Sequence, residues 1–99
     1  MDKLQILKAA VALAKTRGYR GVFKRHVAAV LGCGMGTINY HFGTMDALRA
    51  EIVREAIRLG DRQIVLQAVA LRDPIIWRKN LAPSLREKLD AMTGLSVSA

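Results

Sequence analysis

Apolar residues in this chain recur three and four positions apart, and no segment shows the sustained alternation that a half-buried strand requires. Leu4, Leu7, Val11 and Ala14 draw one helical stripe, widened by Ile6, Ala10 and Leu13. Asp2 is placed to cap its start, and Gly18 to end it in a left-handed conformation. A short second helix fits Phe23 to Leu31, with Val27, Val30 and Leu31 inward and Gly32 at its end. A third fits Met35 to His41, and a fourth starts near Asp46, taken as its N-cap, and presents Leu48, Ile52, Val53 and Ile57. The expected fold is all-α.

Between the second and third helices lies LGCGMGTINYHF, Leu31 to Phe42, with glycine at every second position from 32 to 36. A dinucleotide-binding loop spaces its glycines as G-x-G-x-x-G between a strand and a helix, and a phosphate-binding P-loop ends in Gly-Lys-Ser/Thr. Neither pattern is present. Cys33, His26 and His41 are the soft ligands available, and they lack paired spacing, so no metal or cofactor is expected; Cys33 reads as a small core residue. What remains is a tight turn: Gly32 closes one helix, Gly34 opens the corner, and Gly36 lets the next helix approach something closely. Helix, glycine turn and short helix together make a helix-turn-helix.

Charge says what such a motif would meet. The 99 residues carry a formal charge of +8, unevenly spread. Residues 1–45 hold seven Lys or Arg and a single acid, Asp2, whereas residues 46–99 hold nine bases and seven acids. A basic half joined to a nearly neutral half points to a polyanion on one face. One cysteine rules out an internal disulfide and suits a reducing interior; the N-terminal residues do not resemble a signal peptide, and the uncharged stretch Gln63 to Leu71 is too short to span a bilayer. A cytoplasmic protein is expected. No paired carboxylates or nucleophile–base set is visible, so an enzyme is not.

The segments ILKAAVALAKTRGY and VAAVLGCGMGTINYHFGTMDAL resemble the DNA-binding domain of TetR-type transcriptional regulators, over about Lys3 to Ala56. The resemblance implies that the third helix lies in the major groove. Met35, Gly36 and Asn39 then fall where base edges are reached, with Asn39 suited to bidentate pairing with adenine. Thr37, Tyr40 and His41 fall where backbone contacts are usual, and Lys24 and Arg25 match positions that touch backbone or groove edge. Arg25 could reach a guanine. Gly34, also in the contact set, replaces the family's Ser and loses its cap. Val22 and Phe23 replace a Thr pair, leaving Gly21 as a weak cap, Asn39 replaces a Tyr, and Met45 replaces a Lys.

The division expected is a helix-turn-helix region over 1–45 and a connecting helix with a short helical dimerisation region over 46–99. Relatives usually append a much longer ligand-binding domain. A further helical stretch surrounds Ile64, Ala68 and Leu71, either continuous through Gly60 or broken there; Asp73-Pro74 ends it and starts a short helix with Ile75, Ile76 and Trp77. Ser84 and Glu87 form a capping-box pattern for a last helix, Leu85 to Met92, stopped by Gly94, with a frayed tail from Leu95. So many apolar side chains in so short a segment call for a second copy, with Ile64, Val65, Ala68, Val69, Leu71, Ile75, Ile76 and Trp77 as the dimer face. Little would remain to wall an inducer pocket. A sequence-specific, double-stranded-DNA-binding repressor acting as a homodimer follows, controlled by its own concentration, by turnover or by a protein antagonist. A protein-binding adaptor built on the same scaffold stands as the alternative. Membrane binding is not expected, because Trp77 lies outside the basic half.

Overall fold

The computed structural model describes residues 1–77 and 81–94, which contain seven α-helices and no strand. They are α1 (Lys3–Arg17), α2 (Lys24–Leu31), α3 (Met35–His41), α4 (Met45–Leu59), α5 (Arg62–Ala70), α6 (Pro74–Trp77) and α7 (Pro83–Thr93), with a 3-10 turn at Tyr19–Gly21. None of the described helices is long and apolar enough to cross a membrane. The chain forms two compact units, Met1–Ile52 and Val53–Ala99, so the division falls within α4 and not ahead of it.

In the first unit, α1 packs on α2 and α2 on α3. Asp2 caps α1 as its position suggests: its Oδ1 accepts from Gln5 N–H at 2.8 Å, while Gln5 Oε1 accepts from Asp2 N–H at 2.9 Å. The buried stripe of α1 is Ile6, Leu7, Ala10, Val11 and Ala14, and Leu4 is exposed. Gly18 does take a positive φ of 76°, but with ψ 147° the chain leaves extended. That exit drops Tyr19 and Val22 into the core, both fully buried. Each such side chain removed from water contributes about 1.5–3 kcal/mol.

α2 starts one residue later than its sequence suggests, at Lys24, and turns Val27 and Ala28 inward; Val30 is 61% exposed. α4 is capped by Thr44, whose Oγ1 accepts from Ala47 N–H at 3.0 Å, and not by Asp46, which lies in the first turn. There its negative charge is still favourable, facing the positive end of the helix dipole.

In the second unit, α5 packs on α7. Gly60, at φ 74°, breaks the helix, and Asp61 restarts it by accepting from Ile64 N–H at 3.3 Å. Asp73 accepts from Ile75 N–H at 3.0 Å and so starts α6. α7 begins at Pro83 with Ala82 as its N-cap, so the Ser84–Glu87 box is not made. Proline suits the first helical position because the N–H it lacks would have no partner there. Gly94 closes α7 in the left-handed conformation, and the tail from Leu95 lies outside the described residues.

Cations in this unit are used inside it. Lys88 Nζ donates to Arg58 O, Arg62 Nη1 to Met92 O at 2.6 Å, and Arg86 Nη1 to Ile76 O at 2.9 Å. All three acceptors are carbonyls in the last turn of a helix, the groups that a helix leaves without a backbone partner. Glu55, 6% exposed, accepts from Arg58 Nε and Nη2 at 2.5 and 2.6 Å.

Most of the residues expected to form a dimer face are covered within the chain itself. Ile64, Val65, Ala68, Ile75 and Ile76 are buried within a single chain, with Ile64, Val65, Ala68 and Ile76 fully so. The packing of α5 with α7, and the turn at Asp73, give these side chains an interior of their own. Of the eight residues, Val69 is half-buried, and Leu71 and Trp77 are exposed at 50% and 37%.

Candidate nucleic-acid interface

The turn between α2 and α3 owes its shape to one glycine. Gly32 sits at φ 66°, ψ 32°, and lets Cys33 N–H reach back to Ala28 O at 3.1 Å, which closes α2. A side chain at that φ would be strained. Gly34 and Gly36 are different. Gly34 is extended (φ −83°, ψ 161°), and a Cβ at either position would meet nothing within 4 Å. Among the described residues no neighbour requires glycine at 34 or 36, and the close approach expected at Gly36 is not made by any of them.

α3 stands on Ile38 and Phe42, which are buried to 0% and 2% exposure. Four residues apart, they face one way, and the helix therefore turns Met35, Gly36, Asn39 and Tyr40 outward, all exposed. Tyr40 is the most open of these at 86%. Thr37 and His41 are half-buried. His41 is engaged within the chain, since its Nε2 lies 3.2 Å from Met1 O and must donate to that carbonyl. Its ring also meets Tyr40 edge-on at 5.0 Å.

Lys24 and Arg25 open α2 beside this stripe. Lys24 Nζ donates to Asn39 Oδ1 at 2.7 Å and to Gly43 O at 3.0 Å, an arrangement that ties the start of α2 to the far end of α3. Arg25 is exposed, and its guanidinium lies over the Phe23 ring at 4.9 Å; Arg49 approaches the same ring at 5.4 Å. Phe23, Lys24, Arg25, Met35 and Met45 line an open cleft of about 220 Å³. Thus the structure brings Lys24 to Asn39, gathers Arg25, Phe23, Met35 and Met45 with Lys24 around one cleft, and sets Arg49 against the Phe23 ring; Gly34, Gly36 and Tyr40 are exposed, and Thr37 and His41 are half-buried. Phe23 had a sequence signal: a large apolar residue where a helix cap is expected.

With no side-chain oxygen at Phe23, α2 is started by His26. Its Nδ1 accepts from Phe23 N–H at 3.1 Å, and its Nε2 lies 3.0 Å from Arg17 Nη2. Both ring nitrogens thus face donors. A neutral imidazole can accept at one nitrogen and a protonated one at neither. Partial burial, then the charges of Arg17 and Arg25, hold the His26 pKa below its ordinary 6.5. Gly21 caps nothing; its carbonyl accepts from Arg17 Nε at 3.3 Å. Among the described residues, no group of three or more His, Cys, Asp or Glu is placed to hold a metal ion.

Two short helices around a left-handed glycine, the second carrying an exposed polar stripe on a buried base, define a helix-turn-helix unit. Residues 6–52 match the model of the bacterial regulatory proteins of the tetR family. The match spans nearly all of the first unit, which is thus the tetR-type DNA-binding domain of a transcription regulator. No curated protein and no solved structure matches the chain.

Proposed function

We propose that the protein is a sequence-specific repressor that binds double-stranded DNA as a homodimer in the cytoplasm and occludes a promoter without a small-molecule inducer. The observation that carries this reading is the outward stripe Met35, Gly36, Asn39 and Tyr40 on α3, held by Ile38 and Phe42 in the acid-poor half of the chain. A helix presented in this way fits the major groove, with the flanking Arg25 available to the edge of the site.

Dimerisation rests on a separate argument. One reading helix covers few base pairs, whereas a two-fold pair presents two helices about 34 Å apart on the duplex. Among the exposed apolar side chains of the second unit, Leu66, Leu71 and Trp77 are the surface we assign to that contact. Control would then come from protein concentration, turnover or a protein antagonist.

The test is selection of bound sequences from random duplexes, followed by titration at several salt concentrations. A two-fold symmetric consensus is expected, with log affinity falling by about 0.9 per log unit of salt for each phosphate contact. Salt-sensitive binding without any sequence preference would refute the repressor reading. Sedimentation of the purified protein as a monomer on its selected site would refute the dimer.

A further inference from the structure

Asn39 and Lys24 form a single polar unit whose chemistry is one-sided. An ammonium has three hydrogens and no acceptor, so the amide atom that faces Lys24 Nζ at 2.7 Å is the oxygen. This fixes the amide against rotation and turns the Nδ2 hydrogens away from Lys24. Two ammonium hydrogens go to Asn39 Oδ1 and Gly43 O, at 2.7 and 3.0 Å, and one is left over. The Oδ1 accepts a charge-assisted bond, about twice as strong as a neutral one.

Bidentate pairing with adenine asks something else of an asparagine. The amide oxygen must accept from adenine N6 while the amide nitrogen donates to N7. Here one lone pair of that oxygen is engaged by a cation, and the positive charge beside it repels an amino group that approaches the other. The unit offers three hydrogens to the outside, two on the Asn39 amide and one on Lys24, against one remaining lone pair of Oδ1 that lies beside the cation. Guanine presents two acceptors, N7 and O6, on its major-groove edge, and no donor there.

We propose that Lys24 and Asn39 together form a donor-rich reader that selects guanine over adenine at one base pair, with Lys24 setting the amide orientation in place of binding backbone phosphate. The inference rests on the reading of α3 as the base-reading helix and specifies its ligand. It explains why Lys24 sits at the outward end of α2 yet points along α3: Asn39 is exposed, and without a lock its amide could turn either face to the groove.

The experiment begins with sequences selected by the wild-type protein and by Asn39→Ala, and the base pair whose preference is lost in the variant is the one in question. Guanine is expected there, and replacing it with 7-deazaguanine, which lacks the N7 acceptor, should weaken wild-type binding about ten-fold. Lys24→Met, similar in length but without charge or donors, should reduce the guanine-over-adenine ratio about ten-fold while leaving the salt dependence nearly unchanged. Adenine at that position in the wild-type consensus would overturn the proposal, and so would insensitivity to 7-deazaguanine; both need no variant to fold. A uniform loss in Lys24→Met across all duplexes, with a salt slope shallower by about 0.9, would return Lys24 to a phosphate contact. Binding without sequence preference would remove the repressor reading first, and this inference with it.

Discussion

Gly34 and Gly32 lie two residues apart in the same turn, and the same substitution should have opposite signs at the two. Gly34 is the N-cap of α3, at φ −83° and ψ 161°, a conformation open to any residue, and a Cβ there would meet nothing within 4 Å. Gly34→Ser therefore adds a side chain without strain. Restricting the unfolded chain gives about 0.4–1 kcal/mol. A serine Oγ within reach of the free N–H groups of the first turn gives a few tenths more over glycine. The sum, about 1 kcal/mol, raises the melting temperature by about 4–8 °C for a chain of this size. Gly32 sits at φ 66°, where a serine would cost about 1–2 kcal/mol. Thermal unfolding followed by far-ultraviolet circular dichroism measures both, because the described structure is helical throughout. A stabilised Gly34→Ser beside a destabilised Gly32→Ser is the expected pair. If Gly34→Ser melts below the wild type, or both variants shift in the same direction, the account of the turn is wrong.

Stability should also depend on pH through His26, whose pKa lies below its ordinary 6.5 in the folded chain. The unfolded state then binds the proton more readily, so this contribution is fully present above pH 6.5 and is lost as pH falls below it. The urea midpoint should drop on mild acidification more in the wild type than in His26→Gln; equal drops would contradict the assignment. Ile64→Ala removes a fully buried side chain and should cost about 2–5 kcal/mol whatever the protein concentration. A loss that vanishes at high concentration would show that Ile64 is covered by a second chain.

The helices were legible where one residue type had a single role. Gly32 and Gly94 end helices in the left-handed conformation, Gly32 directly after the apolar run Val27 to Leu31. Caps were less legible wherever two residues could serve. Thr44 and Asp46 both have oxygens that can accept from a first-turn N–H, and the backbone path after Phe42 decides for Thr44. Pro83 and Ser84 compete in the same way, and the proline's fixed φ starts α7 two residues earlier, at Pro83. The inward face of α2 was misjudged because Val30 outweighs Ala28 on any hydropathy scale. Eight residues give only two turns, and Val27 with its neighbour Ala28 faces the core instead.

The site shows the same limit at longer range. The periodicity of α3 separates Ile38 and Phe42 from the outward stripe, so which side chains stand out could be read from spacing alone. What those side chains do could not, because the partner of Asn39 lies 15 residues away, across the turn. Lys24 in isolation reads as one more cation for a phosphate backbone, and composition counts it that way. Geometry makes it the neighbour of an amide oxygen, and a cation already held by two acceptors has less to offer a phosphate. The apolar surplus of the second half misled for a related reason: periodicity shows that Ile64, Val65 and Ala68 need cover, but not whose. α7 packs on α5 in the same chain, and among the described residues of this unit Leu59, Leu66, Leu71 and Trp77 stay exposed.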